Sequence, residues 1–203
     1  MPLCIGFKQP QIASFQLKHI NKNQKLQRMY EKTFPNKRFA YTIEFLEKHI
    51  AKEESILDLG VVNPLSKIMT QHGYAVKNTE GEDLDVDFKA VTSFNGNVIT
   101  AFEIFEHLLA PLNILSESKA DKLVTSIPLR LWFSPAYQSK TDPWDRHYHE
   151  FEDWQFDWLL EKAGWEIKDR LKWTHPVKKI GIRPILRLFT PLYYMVYAER
   201  KKR

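Results

Sequence analysis

The chain has 203 residues, 43% of them hydrophobic and 27% charged, a balance that excludes a disordered or collagen-like protein. Its single cysteine, Cys4, excludes a disulfide framework and a cysteine-rich zinc site, and no apolar run reaches the ~18 residues of a spanning helix. Eight basic residues and one acidic residue lie in Pro176–Arg203, so this segment carries a net charge of +7 and residues 1–175 a net charge of −2. A surface that wraps nucleic acid is not expected to have this distribution.

Helices and strands are predicted to alternate along the chain. Apolar residues at three- and four-residue spacing predict helices, and short apolar runs closed by turn residues predict strands. The predicted helices are Ser14–Tyr30, followed by a turn at Phe34–Asn36, then Phe39–Ala51, a helix opened by Pro64 and ended by Gly73, Pro111–Ser118 and Asp153–Ala163. The predicted strands are Ser55–Gly60, Tyr74–Glu80, Leu84–Phe88, Asn97–Phe102, Lys122–Ile127, Trp165–Trp173 and Tyr193–Glu199.

This order predicts an α/β fold with a doubly wound, mostly parallel seven-stranded sheet and an antiparallel last strand. We expect a single domain over residues 1–203. It would consist of N-terminal helices in residues 1–52, a core in residues 53–175, and a basic C-terminal segment, residues 176–203, that includes the last strand. The first ten residues lack the basic-then-apolar order of a secretion signal, which predicts a cytoplasmic protein.

Two strand ends predict a nucleoside site. In such sheets, ligands bind beyond the carboxyl ends of the parallel strands. The first strand ends in Asp58-Leu59-Gly60, and a glycine there lets the backbone approach a ligand closely. The second strand ends in Glu80, whose carboxylate can accept hydrogen bonds from the two hydroxyls of a ribose.

Three segments resemble the ordered motifs of class I S-adenosylmethionine-dependent methyltransferases. They are Ile56–Gly60, Gly73–Glu80, and an apolar strand that runs into Phe-Glu-x-x-Glu-His-Leu at 102–108. The third is similar to the small-molecule methyltransferases that include the ubiquinone-biosynthesis O-methyltransferases. His147-Tyr148-His149-Glu150-Phe151, followed by a helix and Ala163-Gly164-Trp165, resembles a further motif of the same family.

The resemblance implies S-adenosylmethionine as the cofactor. It implies that Asp58 and Gly60 frame the methionine part, Glu80 holds the ribose, Asp85 or Asp87 lies near the adenine, and Phe102 and Glu103 line the floor. It also implies methylation of a small-molecule acceptor, or of one linked to a lipid or glycan, most often on oxygen. Methylation of nucleic acid is not expected, because residues 102–105 replace the Asn/Asp-Pro-Pro-aromatic motif of base-methylating members.

One loop departs from the family pattern. The family usually has two more glycines after Gly60, where this chain has Val61-Val62-Asn63-Pro64. Asn63 tolerates the left-handed conformation and is predicted to replace one glycine there, whereas the two β-branched valines resist positive φ. The departure leaves a second hypothesis open: a non-catalytic protein of this fold that binds a ligand or a protein partner.

A loop rich in aromatic residues, residues 129–149, is predicted to carry the catalytic base. His147 and His149 alternate along it, so at most one of them is expected to face the substrate, and His147 occupies the family's recurrent histidine position. A zinc site is not predicted, since His147-x-His149 supplies two ligands without a third at metal spacing.

The C-terminal segment leaves two alternatives. Residues 180–189 mix apolar residues with Arg183 and Arg187. They could form a short basic amphipathic helix that rests on an anionic membrane or covers a lipid-linked substrate. They could equally form a plain connection between the last two strands, with solvated arginines. The sequence does not indicate an oligomeric state.

Overall fold

The structure is a computed structural model that describes residues 36–177 and 179–201. Its helices are α1 (Asn36–His49), α2 (Pro64–Gln71), α3 (Lys89–Thr92), α4 (Pro111–Glu117), α5 (Asp153–Lys162) and α6 (Ile182–Phe189). Its strands are β1 (Ser55–Asp58), β2 (Ala75–Asn78), β3 (Val98–Phe102), β4 (Lys122–Pro128), β5 (Trp165–Thr174) and β6 (Pro191–Arg200). Short 3-10 turns occupy Phe105–His107 and Pro143–Asp145. The predicted helix at 14–30 and most of its following turn lie outside the described residues.

One mixed sheet organises the described part of the chain, in the order β2-β1-β3-β4-β6-β5. The first four strands are parallel, and β6 pairs antiparallel with both β4 and β5. The predicted doubly wound α/β fold with an antiparallel last strand is therefore confirmed. The last strand of the chain is not at the edge of the sheet, because it is inserted between β4 and β5.

The sheet has six strands in the described residues, and the predicted strand Leu84–Phe88 is wrong. The backbone N–H groups of Val86 and Asp87 donate to the carbonyl of Asp83, which closes a local turn. Because those donors are used within the turn, this stretch does not pair with a neighbouring strand. It leads directly into α3.

The core lies on both faces of the sheet, because neighbouring residues of a strand point to opposite faces. Ile56 of β1 packs with α1 and α2, whereas Leu57 packs against α4 and α5 on the other face. Because helices cover both faces of the sheet, the residues of β3 and β4 are buried along nearly their whole length. No described helix is both long and apolar enough to cross a membrane.

The four parallel strands end at the same edge of the sheet. Their carboxyl ends bring together Asp58, Asn78, Phe102 and Pro128, which are far apart in sequence. Loops that leave these ends build the site described next. Pro64 opens α2 as predicted, and its helix starts directly above this edge.

Candidate functional site

A cavity of about 1430 Å³ opens at the carboxyl edge of the parallel strands. Segments from six parts of the chain line it: residues 58–65, 78–80, 102–107 except Phe105, 128–150 in part, Arg38 with Phe39, and Arg187 with Leu192 and Tyr193. Of the site residues predicted from the sequence, all but Asp85 and its alternative Asp87 line this cavity; these are Asp58, Gly60, Asn63, Glu80, Phe102, Glu103 and His147.

A buried hydrogen-bond network around Asp58 ties β1 to its two neighbours. Thr100 Oγ1 donates to Asp58 Oδ1 at 2.6 Å, and Asn78 Nδ2 donates to Asp58 Oδ2 at 3.0 Å. Asn78 Nδ2 also contacts the carbonyl of Gly60 at 3.1 Å. Burial raises the pKa of Asp58 to about 6, against the lowering effect of these hydrogen bonds. The carboxylate therefore holds the loop that begins at Gly60.

The loop after β1 turns at Gly60, which has a φ of 110° and donates its N–H to Thr79 Oγ1 at 2.7 Å. Val61 and Val62 are more than half exposed on the cavity wall, without positive φ. Asn63 is extended, with a φ of −134°, and caps α2 by accepting the N–H groups of residues 65 and 66. The predicted left-handed conformation of Asn63 is therefore wrong, because helix capping determines its geometry instead.

Among the acidic residues after β2, Glu80 lines the cavity, whereas Asp85 and Asp87 accept backbone N–H groups elsewhere. Glu80 presents an exposed carboxylate to the cavity, while its backbone N–H donates to Glu82 Oε2 at 2.7 Å. Asp85 lies outside the cavity lining, and its carboxylate accepts the N–H groups of Leu109 and Ala110, each at 2.8 Å. Asp85 thus anchors the chain at the start of α4, and its place near the adenine stays a prediction. Asp87 accepts the N–H of Lys89 at the start of α3.

The chain leaves β3 through an unusual turn at Glu103, whose φ is +58°. Its N–H donates to the carbonyl of Ser126, its Oε1 accepts the Ser126 hydroxyl at 2.8 Å, and its Oε2 lies 3.6 Å from Arg38 Nη1. Burial raises the pKa of Glu103, although Arg38 opposes the rise. Positive φ at a non-glycine residue costs roughly 1 kcal/mol or more. These contacts hold the turn and direct the next residues towards the cavity.

Three side chains that line the cavity form a compact group, here called the Glu–His cluster: Glu106, His107 and His147. Glu106 Oε1 lies 3.7 Å from His107 Nε2, and the two imidazole rings meet edge to face at 4.8 Å. Glu106 is 1% exposed, and its Oε2 has no hydrogen-bond partner among the described residues. Its pKa is raised well above the usual range by burial and then by the charge of Glu103.

Hydrogen bonds join the aromatic loop to the 3-10 turn at Phe105–His107, and they bring His147 into the Glu–His cluster. The N–H groups of Tyr148 and His149 both donate to the carbonyl of Glu106, at 2.8 and 3.2 Å. His107 Nδ1 lies 2.9 Å from the carbonyl of Arg146. The expectation that no third ligand lies near His147 considered only neighbours in sequence, whereas the potential ligand atoms of Glu106 and His107, about 40 positions earlier, lie beside it in the structure. His149 lies apart, with its Nε2 3.3 Å from the carbonyl of Leu109.

His147 is held between aromatic neighbours. Its ring lies 4.4 Å from that of Tyr137, and its Nδ1 is 3.7 Å from Glu150 Oε1. Burial and the neighbouring His107 lower the pKa of His147, so its neutral form is favoured. Sequence reasoning missed Glu106 as the partner of this histidine, although the Phe-Glu-x-x-Glu-His-Leu motif contains it.

No protein-family model matches the chain, and no curated protein matches it by sequence. Solved structures do match its fold. A 1,6-didemethyltoxoflavin-N1-methyltransferase from Burkholderia thailandensis is 14% identical, with a TM-score of 0.56 over 100% of this chain and 94% of that one. A magnesium protoporphyrin IX methyltransferase from Synechocystis PCC 6803 is 11% identical, with a TM-score of 0.55 over 89% of this chain and 94% of that one.

An S-adenosylmethionine-dependent methyltransferase from Mesorhizobium loti gives the same result. It is 14% identical and has a TM-score of 0.53 over 77% of this chain and 96% of that one. At such low identity, the likeness concerns the fold alone. The chain has the fold of the class I S-adenosylmethionine-dependent methyltransferases.

Proposed function

We propose that the chain is an S-adenosylmethionine-dependent methyltransferase that modifies an oxygen atom of a small-molecule or lipid- or glycan-linked acceptor. The observation that carries this proposal is the pairing of Gly60 and Glu80 on one wall of the cavity with the Glu–His cluster on another. The first pair suits a nucleoside, and the cluster suits an acceptor hydroxyl. Similar folds that were solved with S-adenosylhomocysteine bound support the choice of cofactor.

The residues on the first wall fit this cofactor. The exposed carboxylate of Glu80 can accept two hydrogen bonds from ribose hydroxyls, and Gly60 has no Cβ to obstruct a ligand. When bound, S-adenosylmethionine supplies an electrophilic methyl group on its sulfonium. A cavity of about 1430 Å³ exceeds the roughly 300–1,000 Å³ of a typical site for one small ligand, which leaves room for an acceptor.

The chain contributes alignment and handling of the acceptor proton. A hydroxyl must lose its proton for its oxygen to attack, and a group on the cavity wall must assist that loss. The partly exposed imidazoles of His107 and His147, with the buried Glu106 behind them, supply such groups. This arrangement favours oxygen as the acceptor atom.

The two exposed valines favour the second candidate, a non-catalytic module of the same fold. Val61 and Val62 occupy the loop where this family usually has glycines, and they could narrow the cofactor position. Calorimetric titration with S-adenosylhomocysteine separates the two candidates. We expect one site of micromolar affinity. Absence of binding at millimolar ligand would support the non-catalytic module and contradict the enzyme.

Helix α6 lies beside the cavity and exposes apolar side chains. Ile182, Ile185, Leu188 and Phe189 are each at least half exposed, and no residue of α6 is buried. Arg187 on the same helix lines the cavity. Residues 179–198 contain no acidic side chain, so the surface is both apolar and cationic. We propose that α6 rests on an anionic membrane from which a lipid-linked acceptor enters the cavity.

Vesicle co-sedimentation tests this contact. We expect binding to vesicles that contain phosphatidylglycerol and much weaker binding to pure phosphatidylcholine, because the arginines need anionic lipid. The double variant Ile185→Asp/Leu188→Asp should lower binding at least about tenfold, since each side chain contributes roughly 1.5–3 kcal/mol on burial. Val86→Asp, at a still more exposed apolar position elsewhere, is the control. Equal binding by the double variant would refute a role for α6.

A further inference from the structure

We propose that Glu106, His107 and His147 bind a divalent first-row transition-metal cation on the wall of the cavity, and that this cation holds the acceptor oxygen. The site itself stands on geometry alone. Its role towards the acceptor rests on the proposed function and deepens it.

The ligand atoms are already gathered. One nitrogen or oxygen atom from each of the three residues lies within 4.8 Å of the others, and Glu106 Oε1 is 3.7 Å from His107 Nε2. Ligands about 2.1 Å from one cation lie roughly 3–4 Å from each other. The group therefore needs to contract by less than about 2 Å to coordinate an ion. All three residues also line the cavity, so the site is open to ligands from solution.

The imidazole of His107 has the orientation of a metal ligand. Its Nδ1 lies 2.9 Å from the carbonyl of Arg146, which can only accept a hydrogen bond. The ring proton therefore lies on Nδ1, and Nε2 presents its lone pair towards Glu106. Metal-binding histidines almost always donate their second ring N–H to a carbonyl or carboxylate in this way. Glu150 is a nearby carboxylate, but its Oε1 lies 3.7 Å from Nδ1 of His147, beyond hydrogen-bond distance.

Glu106 supplies an independent observation. Its side chain is 1% exposed, and its Oε2 has no hydrogen-bond partner among the described residues. A buried carboxylate oxygen without a partner costs free energy, and such groups in proteins are normally paired or coordinate a cation. A cation bound to the cluster would compensate this carboxylate and the nearby charge of Glu103.

The donor set selects the class of metal. Two imidazoles with one carboxylate favour Zn²⁺, Mn²⁺, Co²⁺ or Fe²⁺ over Mg²⁺ and Ca²⁺, which prefer oxygen ligands throughout. Three protein ligands leave at least one coordination position vacant, as in catalytic rather than structural sites. That position would face the cavity, where an acceptor hydroxyl could enter it. His147 then serves as a ligand, which replaces the base role predicted for it from the sequence.

Direct metal binding tests the site without any measurement of activity. The chain is stripped with a chelator and titrated with Mn²⁺, whose free form is followed by electron paramagnetic resonance, and with Zn²⁺ by calorimetry. We expect one ion per chain with a dissociation constant in the micromolar range or below. His147→Asn and Glu106→Gln should each weaken binding by about 100-fold, because each removes or neutralises a ligand.

His149→Asn is the matched control, since His149 lies two residues away and outside the cluster. It should bind the metal as the unmodified chain does. His147 lies on a loop, so its variant keeps the test valid if Glu106→Gln does not fold. The proposal is overturned if the unmodified chain binds no metal, or if His147→Asn binds it as tightly as His149→Asn. S-adenosylhomocysteine titrations of the same samples separate the outcomes: metal without nucleoside binding would contradict only the proposed function, and the reverse only the metal site.

Discussion

Replacing Glu80 by glutamine should weaken the binding of S-adenosylhomocysteine by about 10- to 100-fold. The carboxylate accepts two charge-assisted hydrogen bonds from a ribose in the proposed complex, whereas an amide offers one oxygen and a donor. A hydrogen bond to a charged group contributes roughly 1.5–3 kcal/mol, which gives the stated range. Isothermal titration calorimetry of the two proteins measures the difference.

The position of Glu80 makes this a test of binding rather than folding. Its side chain is exposed on the cavity wall, and its backbone N–H, which donates to Glu82, remains in the variant. The free energy of unfolding should therefore change by no more than about 0.5 kcal/mol. Glu117→Gln, an exposed glutamate of α4 outside the cavity lining, is the control for the loss of one negative charge. Unchanged affinity in Glu80→Gln would remove the ribose assignment.

The fold could be predicted because its signals are local. A buried parallel strand appears as a short apolar run, and the runs at β1, β3 and β4 are unambiguous. The strand predicted at Leu84–Phe88 failed for a physical reason. Its apolar residues are too few to outweigh the turn around Asp83, whose carbonyl accepts two N–H groups. Nothing in the local pattern distinguishes this turn from a very short strand.

The site could be predicted only where it follows a strand end. Gly60 and Glu80 come to the cavity because parallel strands end at one edge of the sheet. Asp85 is acidic like Glu80 and lies five positions after it, yet its carboxylate accepts two N–H groups at the start of α4. That outcome depends on where residues 109 and 110 lie in space, which the sequence does not specify.

The Glu–His cluster depends on long-range contacts. His147 reaches Glu106 because the aromatic loop hydrogen bonds to the carbonyl of Glu106 across 40 residues. The usual sequence spacing of metal ligands indicates only the pair His147 and His149, because it takes no account of residues that are distant in sequence. A turn that begins with Glu103 in positive φ, which no propensity predicts, determines where Glu106 and His107 point.

The buried carboxylate of Asp58 should make the chain less stable as the pH rises from about 4 to about 6. Burial raises the pKa of Asp58 from 3.8 to about 6 in the native state. Between these values the native state keeps a proton that the unfolded state has released, so the free energy of unfolding falls with pH and stays reduced above pH 6. The shift corresponds to about 3 kcal/mol.

Asp58→Asn isolates this effect, because asparagine is neutral at every pH. The asparagine amide has only one acceptor oxygen, so it cannot replace the two carboxylate oxygens that accept from Thr100 and Asn78. The resulting loss of stability does not depend on pH. We expect the unfolding free energy of the unmodified chain, minus that of the variant, to fall by about 2 kcal/mol between pH 4 and pH 7 in urea titrations, because part of the full effect lies below pH 4. Asp169→Asn is a control, since hydrogen bonds from Lys48 and His49 lower the pKa of Asp169 to about 2, so the stability that Asp169 contributes is lost only as the pH falls below about 4. Between pH 4 and pH 7 this control should show almost no change.

The free-energy cost of ionising the buried Asp58 also links the stability of the chain to binding of the proposed cofactor. A ligand that brings positive charge to the end of β1 favours the ionised form of Asp58 and so restores part of the stability lost above pH 6. Saturating S-adenosylmethionine, which is cationic, should therefore stabilise the unmodified chain more than Asp58→Asn at pH 7, and the excess should shrink at pH 4. Equal stabilisation of both proteins at both pH values would show that the positive charge of the ligand does not reach Asp58.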